Sequence, residues 1–408
     1  MPGNRLSYLG PSIVRFCNIK KINLADNAIE YFPSELLCLG TLEELDLSFN
    51  QIHSLPTNFR FMTKLTEFLI SHNSIRLLDS GLGDLNQLRR LVCAGNAITR
   101  LSPNIRLCSA MKELNITSNR VSFLPKELFE LCNLEVLDVS RNDLIEIPSN
   151  IGNCTSLRKL IIERNKIEVL RKEIGALEDT LEVFRYEENP LRIPPKDIRM
   201  KTSKFVIEYL ARILKASYTD ALDLSEQGLR VFPIEVWQLE KLSLLCMKSN
   251  SINTLPADIN KLQSLTELDM SENRIVILPR EIGDLMHLKI FLSHSNQITK
   301  LPDEFAKCCE LIQLDLHSNK LVNICSWISC FSDLKILNLS NNSLQELPQQ
   351  ISDLHHLGML ELANNMISVL PFAMFRLTSL YSLKLTNNPL QSPPPELIDA
   401  PLQIFALG

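Results

Sequence analysis

Histidine is the side chain best able to move protons or hold a metal near neutral pH. Three of the seven here, His72, His294 and His317, fall on one side of a repeating pattern, its concave face. His294 and His317 stand one repeat apart, which puts them on neighbouring strands at roughly 5 Å. Two imidazoles can seed a zinc site, but zinc needs further ligands, and the residues brought alongside, Asp269, Ser271, Asp315 and Ser340, make a poor set. No Ser-His-Asp or Cys-His combination sits at a strained nucleophile turn, and with 12 glycines in the chain there is no glycine-rich phosphate loop. The expectation is therefore no catalytic residue, no cofactor and no metal; the chemistry left is recognition.

The 11 cysteines are odd in number and follow the repeat. Cys108, Cys132, Cys154, Cys308 and Cys309 each lie ten or eleven residues before a periodic asparagine, and read as small apolar core thiols. Cys308-Cys309 and Cys325 with Cys330 lack CxxC spacing. Together with the lack of an apolar leader after Met1, this predicts a reducing compartment, the cytoplasm. The net charge of −5 gives no support for nucleic-acid binding, and no segment is long and apolar enough to span a bilayer. Asn115-Ile-Thr and Asn153-Cys-Thr match glycosylation acceptors, a weak signal in a cytoplasmic chain.

These groups are positioned by a 23-residue beat of asparagine: Asn4, Asn27, Asn50, Asn73, Asn96, Asn119, Asn142 and Asn165, with a one-residue slip to Asn189. It resumes at Gln227 and runs through Asn250, Asn273, Asn296, Asn319, Asn342 and Asn365 to Asn388. Before each stands LxxLxLxxN, as in Leu311-Ile-Gln-Leu314-Asp-Leu316-His-Ser-Asn319. The two central leucines have strand period and point inward. One coil cannot bury them alone, so coils stack into a solenoid with a parallel sheet on its concave side. The asparagine amide, donor and acceptor at once, satisfies backbone groups where the chain leaves the strand. An LPxx(I/L/F)xxL stretch then closes the convex side as a short helix or extended segment, and Trp237 and Trp327 pack there.

The repeat LxxLxLSxNxIxxLPxxIxxLxxL resembles the intracellular leucine-rich repeats of the Ras-group class. That resemblance implies an α/β leucine-rich repeat horseshoe with no enzymatic activity of its own. Two arrays are expected, residues 1–195 and 219–408, joined by a capping or hinge helix in 196–218. Asn189-Pro-Leu-Arg-Ile-Pro-Pro and Asn388-Pro-Leu-Gln-Ser-Pro-Pro read as terminators of the two arrays. Ile198, Phe205, Val206, Tyr209, Leu210, Ile213 and Leu214 recur at helical spacing, predicting one amphipathic helix over about 196–216. Its outer face carries Lys196, Arg199, Lys201, Lys204, Arg212 and Lys215, either a solvated face or a dock for an acidic partner or membrane surface. The outer ends lack capping segments, as expected of part of a longer protein or of edges that a partner covers.

On each strand the third, fifth and seventh positions face outward, which defines two candidate partner surfaces. In the second array Leu244, Cys246, Ile290, Leu292, Ile336 and Met359 place aliphatic side chains where solubility favours polar ones, a partner site or neutral drift. In the first array Arg141, Lys159, Glu163, Arg164, Arg185 and Glu187 form a charged patch, either salt-bridged for solubility or a polar binding site. Asp46, Asp138, Asp223, Asp269 and Asp315 recur at the fifth position and are assigned no chemistry. The expected function is a protein–protein interaction scaffold, in signalling, whose partner is a protein such as a small GTPase or phosphatase. The rivals are a targeting subunit of a phosphatase, ubiquitin-ligase or GTPase complex, and a structural component of cytoskeleton or cilium.

Overall fold

The computed structural model describes residues 1–391 and divides into two compact units, Met1–Leu214 and a second beginning at Lys215. Unit one carries an eight-stranded parallel sheet running from Lys21–Asn23 to Val183–Arg185. Unit two carries another, from Ala221–Asp223 to Ser382–Lys384. Each strand is three residues long, with its central residue packed inward and its flanking residues facing out, as in Leu45 between Glu44 and Asp46. Register is strict: Leu245 lies beside Leu268, Leu268 beside Phe291 and Phe291 beside Leu314. The leucine pattern thus becomes one continuous core in each unit.

The asparagines bolt coil to coil. Asn296 Nδ2 donates to Met270 O in the preceding coil at 2.9 Å and to Ser293 O in its own at 3.2 Å, while Oδ1 accepts from Ile275 N–H at 2.9 Å. Asn50 repeats this with Leu24 O, Leu47 O and Ile29 N–H. To aim the amide this way, the residue before each ladder position takes a left-handed backbone, from Asp26 (φ 55°) through Ser118 (φ 57°) to Asn387 (φ 58°). The recurring fifth-position aspartates have a local role: Asp46, Asp138, Asp223 and Asp269 each accept the backbone N–H two residues on, closing the turn out of the strand.

Most of the LPxx stretches form short 3-10 helices, such as Ser34–Cys38 and Arg280–Asp284, both preceded by proline. A 23-residue coil leaves room for about one turn, and i→i+3 bonding reaches furthest per residue. Trp237 is buried there, stacked on Phe232, and Trp327 packs edge-on to Phe305 and Phe331.

Between the terminator and the next strand, the single expected helix is two, α1 (Lys196–Arg199) and α2 (Ser203–Thr219). The break follows from Thr202, whose hydroxyl accepts Phe205 N–H at 3.3 Å and restarts the helix. Ile198, Val206, Tyr209, Leu210 and Ile213 are buried as expected. Phe205 and Leu214 are only half-buried, and Ile207 and Ala216 are buried instead. Phe205 lies at the rim, where the Lys201 ammonium stands 3.8 Å over its ring. The outer cations are largely engaged, since Arg199 Nε donates to Pro194 O at 2.8 Å and Lys204 reaches Glu208. α2 lies directly on the last coil of unit one: a Cβ on Gly175 would overlap the backbone of Ala211. The second terminator lies outside the described residues from position 392 onward.

Replacing Asn296 by Ala strands buried donors and acceptors on two coils, and chemical denaturation should record a loss of about 1–3 kcal/mol; a change within a few tenths would reject the bolt. Gly175→Ala forces α2 off the last coil and should cost about 1–3 kcal/mol by overpacking. Unchanged melting would show that the helix does not rest there.

Candidate partner-binding face

The outward strand positions form columns across each sheet, one residue per coil. In unit two the third-position column reads Leu244, Glu267, Ile290, Gln313, Ile336, Met359. The fifth reads Cys246, Asp269, Leu292, Asp315, Asn338, Glu361. The six candidate residues do face outward, each half-buried between its neighbours. They do not make the contiguous patch expected: Glu267 separates Leu244 from Ile290, Gln313 separates Ile290 from Ile336, and aspartates flank Leu292. Of the third-position aliphatics, Ile336 and Met359 alone are direct neighbours.

The charged candidates of unit one are not a salt-bridged surface either. Arg164 pairs with Glu188 at 2.8 Å, and Glu187 accepts Tyr186 N–H at 3.0 Å. Arg141, Lys159, Glu163 and Arg185 make no ion pair among the described residues. Lys159 and Arg185 stand on adjacent strands in different columns, so no shared carboxylate bridges them.

A third cluster emerges only from the three-dimensional register. In unit one Leu69 pairs directly with Val92, and Ala94 follows two residues beyond Val92. At the eighth position, just beyond those columns, Phe49 stacks on His72 with ring centroids 4.4 Å apart and planes 15° from parallel. His72 lies over Gly95, where a Cβ would approach Nδ1 to 2.7 Å; the bare backbone, at φ 65°, lets the ring lie flat. Leu69 and Val92 are thus neighbours at the fifth position and Phe49, His72 and Gly95 at the eighth, with Ala94 at the seventh position of the third coil. Phe49 is 56% exposed at φ 56°, the one apolar side chain among the described left-handed residues. A bulky residue in that region costs on the order of 1 kcal/mol and is a genuine outlier. Nearby Arg90 is clamped between Glu67 at 2.6 Å and Glu113 at 3.1 Å, an ion-paired polar rim with net charge −1.

The histidines of unit two make a different arrangement. His294 and His317 stack face to face at 4.3 Å, and His317 Nδ1 is held by Asp315 Oδ1 at 2.7 Å. Burial, and then the neighbouring His317, lower the His294 pKa below the ordinary imidazole value. Parallel rings offer each other their π faces and do not converge nitrogens on a point. Among the described residues no group of three or more His, Cys, Asp or Glu is placed to hold a metal.

The thiols divide by one residue of spacing. Cys108, Cys154 and Cys308, eleven before the ladder asparagine, cap the 3-10 helices and are buried, and burial pushes each thiol up to about 12. Cys132 and Cys309, ten before it, lie one step past the cap and are exposed, contrary to the core reading.

Leucine rich repeat family models match residues 109–167 and 332–390, and again 41–62 and 264–285. No curated protein sequence matches the chain. Among solved structures, a leucine-rich repeat protein of Leptospira interrogans is 29% identical, covering 96% of this chain and 90% of that one, with a TM-score of 0.44. The ectodomain of the Arabidopsis receptor kinase HAESA, solved with an IDA peptide hormone ligand, is 24% identical over 100% of this chain and 76% of its own, at a TM-score of 0.42. InlJ of Listeria monocytogenes is 19% identical over 92% and 70%, at 0.40. No described helix is long and apolar enough to cross a membrane.

Phe49→Asn places at this turn the residue type that Asn341, Asn364 and Asn387 already supply there. Stability should hold or rise by up to about 1 kcal/mol as the left-handed strain is relieved, whereas a core phenylalanine cut to a small side chain loses about 3–5 kcal/mol. A loss of that size on denaturation would make Phe49 structural and remove it from the binding face.

Proposed function

Since the chain is a leucine-rich repeat protein, we propose that it is a non-enzymatic cytoplasmic scaffold that binds a protein partner on the outward face of its strands. Leucine-rich repeats are in general interaction modules, and a fold of this kind offers surface more than chemistry. The observation that carries the reading is the Phe49–His72 stack beside Leu69 and Val92. An exposed aromatic kept in a costly backbone conformation, with aliphatics on the same strands and an ion-paired polar rim, has the composition of an interface hot spot. Burying such a side chain against a partner contributes about 1.5–3 kcal/mol that folding does not collect. Within the class, the close of the first array on NPLRIPP and the restart at LDLSEQGLRVFP resemble leucine-rich repeat-containing protein 40. A small GTPase or a phosphatase is the partner class we infer from the signalling role of such scaffolds.

The test is affinity purification from the native cell with mass spectrometry, comparing the intact chain with three single variants. Phe49→Asp should retain the fold and lose the partner. Loss with Leu292→Glu alone would move the site to unit two. Loss with Arg185→Glu alone would move it to the charged patch, and capture by all three would end the strand-face reading at these positions.

A further inference from the structure

Outside the strand face, unit two holds a cleft of about 330 Å³ lined by Arg230, Ser251, Asn253 and Arg274. We propose that it binds a phosphate monoester. The residues come from three successive coils and flank the backbone that the ladder fixes. Leu229 N–H donates to Asn250 Oδ1 and Ile252 N–H to Asn273 Oδ1, each at 3.0 Å, and both side chains are buried. Alternation then turns the residues on either side outward, Arg230 and Asn253 from one column, Ser251 and Arg274 from the other. Further bonds hold this frame rigid, from Ser251 N–H to Leu229 O at 2.8 Å and Arg274 N–H to Ile252 O at 2.9 Å.

The lining is rich in donors: two guanidiniums, a hydroxyl and an amide, with no carboxylate among the lining residues. Glu272, the acid closest to Arg274 in sequence, is occupied by Lys248 at 3.2 Å and by the Ser249 hydroxyl. Arg274 itself makes no ion pair among the described residues. Each guanidinium carries five N–H donors, so a bond on one edge leaves another for a ligand. One arginine fork satisfies a carboxylate; two arginines lining one cleft match the doubled charge and three terminal oxygens of a phosphate monoester. The volume sits at the lower end of the range for small-molecule pockets, leaving room for the group that carries the phosphate. Unit one repeats the diagonal with Arg76 and Arg120, but there Ala97 and Thr99 replace Ser251 and Asn253. That equivalent site supplies a matched control.

Calorimetric titration of the full chain with O-phosphoserine tests this, with inorganic phosphate and succinate as comparison probes. Saturable binding of O-phosphoserine is expected, weakened about tenfold or more in Arg274→Gln and in Arg230→Gln and unchanged in Arg120→Gln. Both unit-two arginines are exposed, so the variants should melt as the intact chain does, which a thermal scan checks. Absence of saturable binding overturns the proposal, as does equal weakening by Arg120→Gln. Succinate binding as tightly as O-phosphoserine would overturn the choice of phosphate, and inorganic phosphate doing so would overturn the monoester.

Discussion

Everything in each unit depends on one side-chain amide per coil. A parallel stack of three-residue strands is too short to hold itself in register by sheet bonds alone, and its turns would bury unpaired carbonyls and N–H groups. The ladder asparagine donates to two carbonyls that stand side by side on neighbouring coils, 23 residues apart in sequence, and accepts an N–H from the coil behind it. Its bonds join neighbouring coils and no others, so stability propagates from coil to coil. The requirement extends to the residue before it, which must enter the left-handed region for the amide to point inward. That obligation explains why polar residues, glycine and asparagine fill the position, and why a phenylalanine there stands out.

The same constraint fixes what the surface can be. Because the ladder and the leucines pin the backbone, outward side chains are presented in columns with nearly constant spacing, and a change of residue type changes the surface without disturbing the core. Recognition on such a face comes from which neighbours share a column. In unit two the aliphatics alternate with Glu267 and Gln313 and dilute one another. In unit one Leu69 meets Val92 directly, and the Phe49–His72 stack extends the patch past the edge of the sheet. Gly95 makes that extension possible by leaving the ring of His72 a flat place to lie.

The sequence alone carried the architecture, because asparagine and leucine spacing is dictated by local geometry that every coil repeats. Strand positions and inward leucines were legible in this way, and so was the apolar face of the connecting helix. The misses share a cause: each turned on a single residue of offset or on a neighbour in another coil. Thr202 broke the helix by offering a local cap. Cys132 and Cys309 passed from core to solvent by lying one step beyond the cap that buries Cys108. The unit-one cluster depends on the register that sets Leu69 beside Val92 and on the eighth position, which the left-handed turn lifts into the surface beside the third, fifth and seventh. The interruption by Glu267 was present in the sequence but invisible without the register that sets it between Leu244 and Ile290.

The claim on which the account rests is that the asparagine ladder holds the coils together, and site-resolved amide hydrogen exchange on the intact chain tests it most directly. The backbone N–H groups of Ile98, Val121, Leu144, Ile252, Ile275 and Ile298, each donated to a ladder Oδ1, should be among the slowest to exchange in their units. Exchange of these amides at the rate of exposed, unbonded turn amides would contradict it.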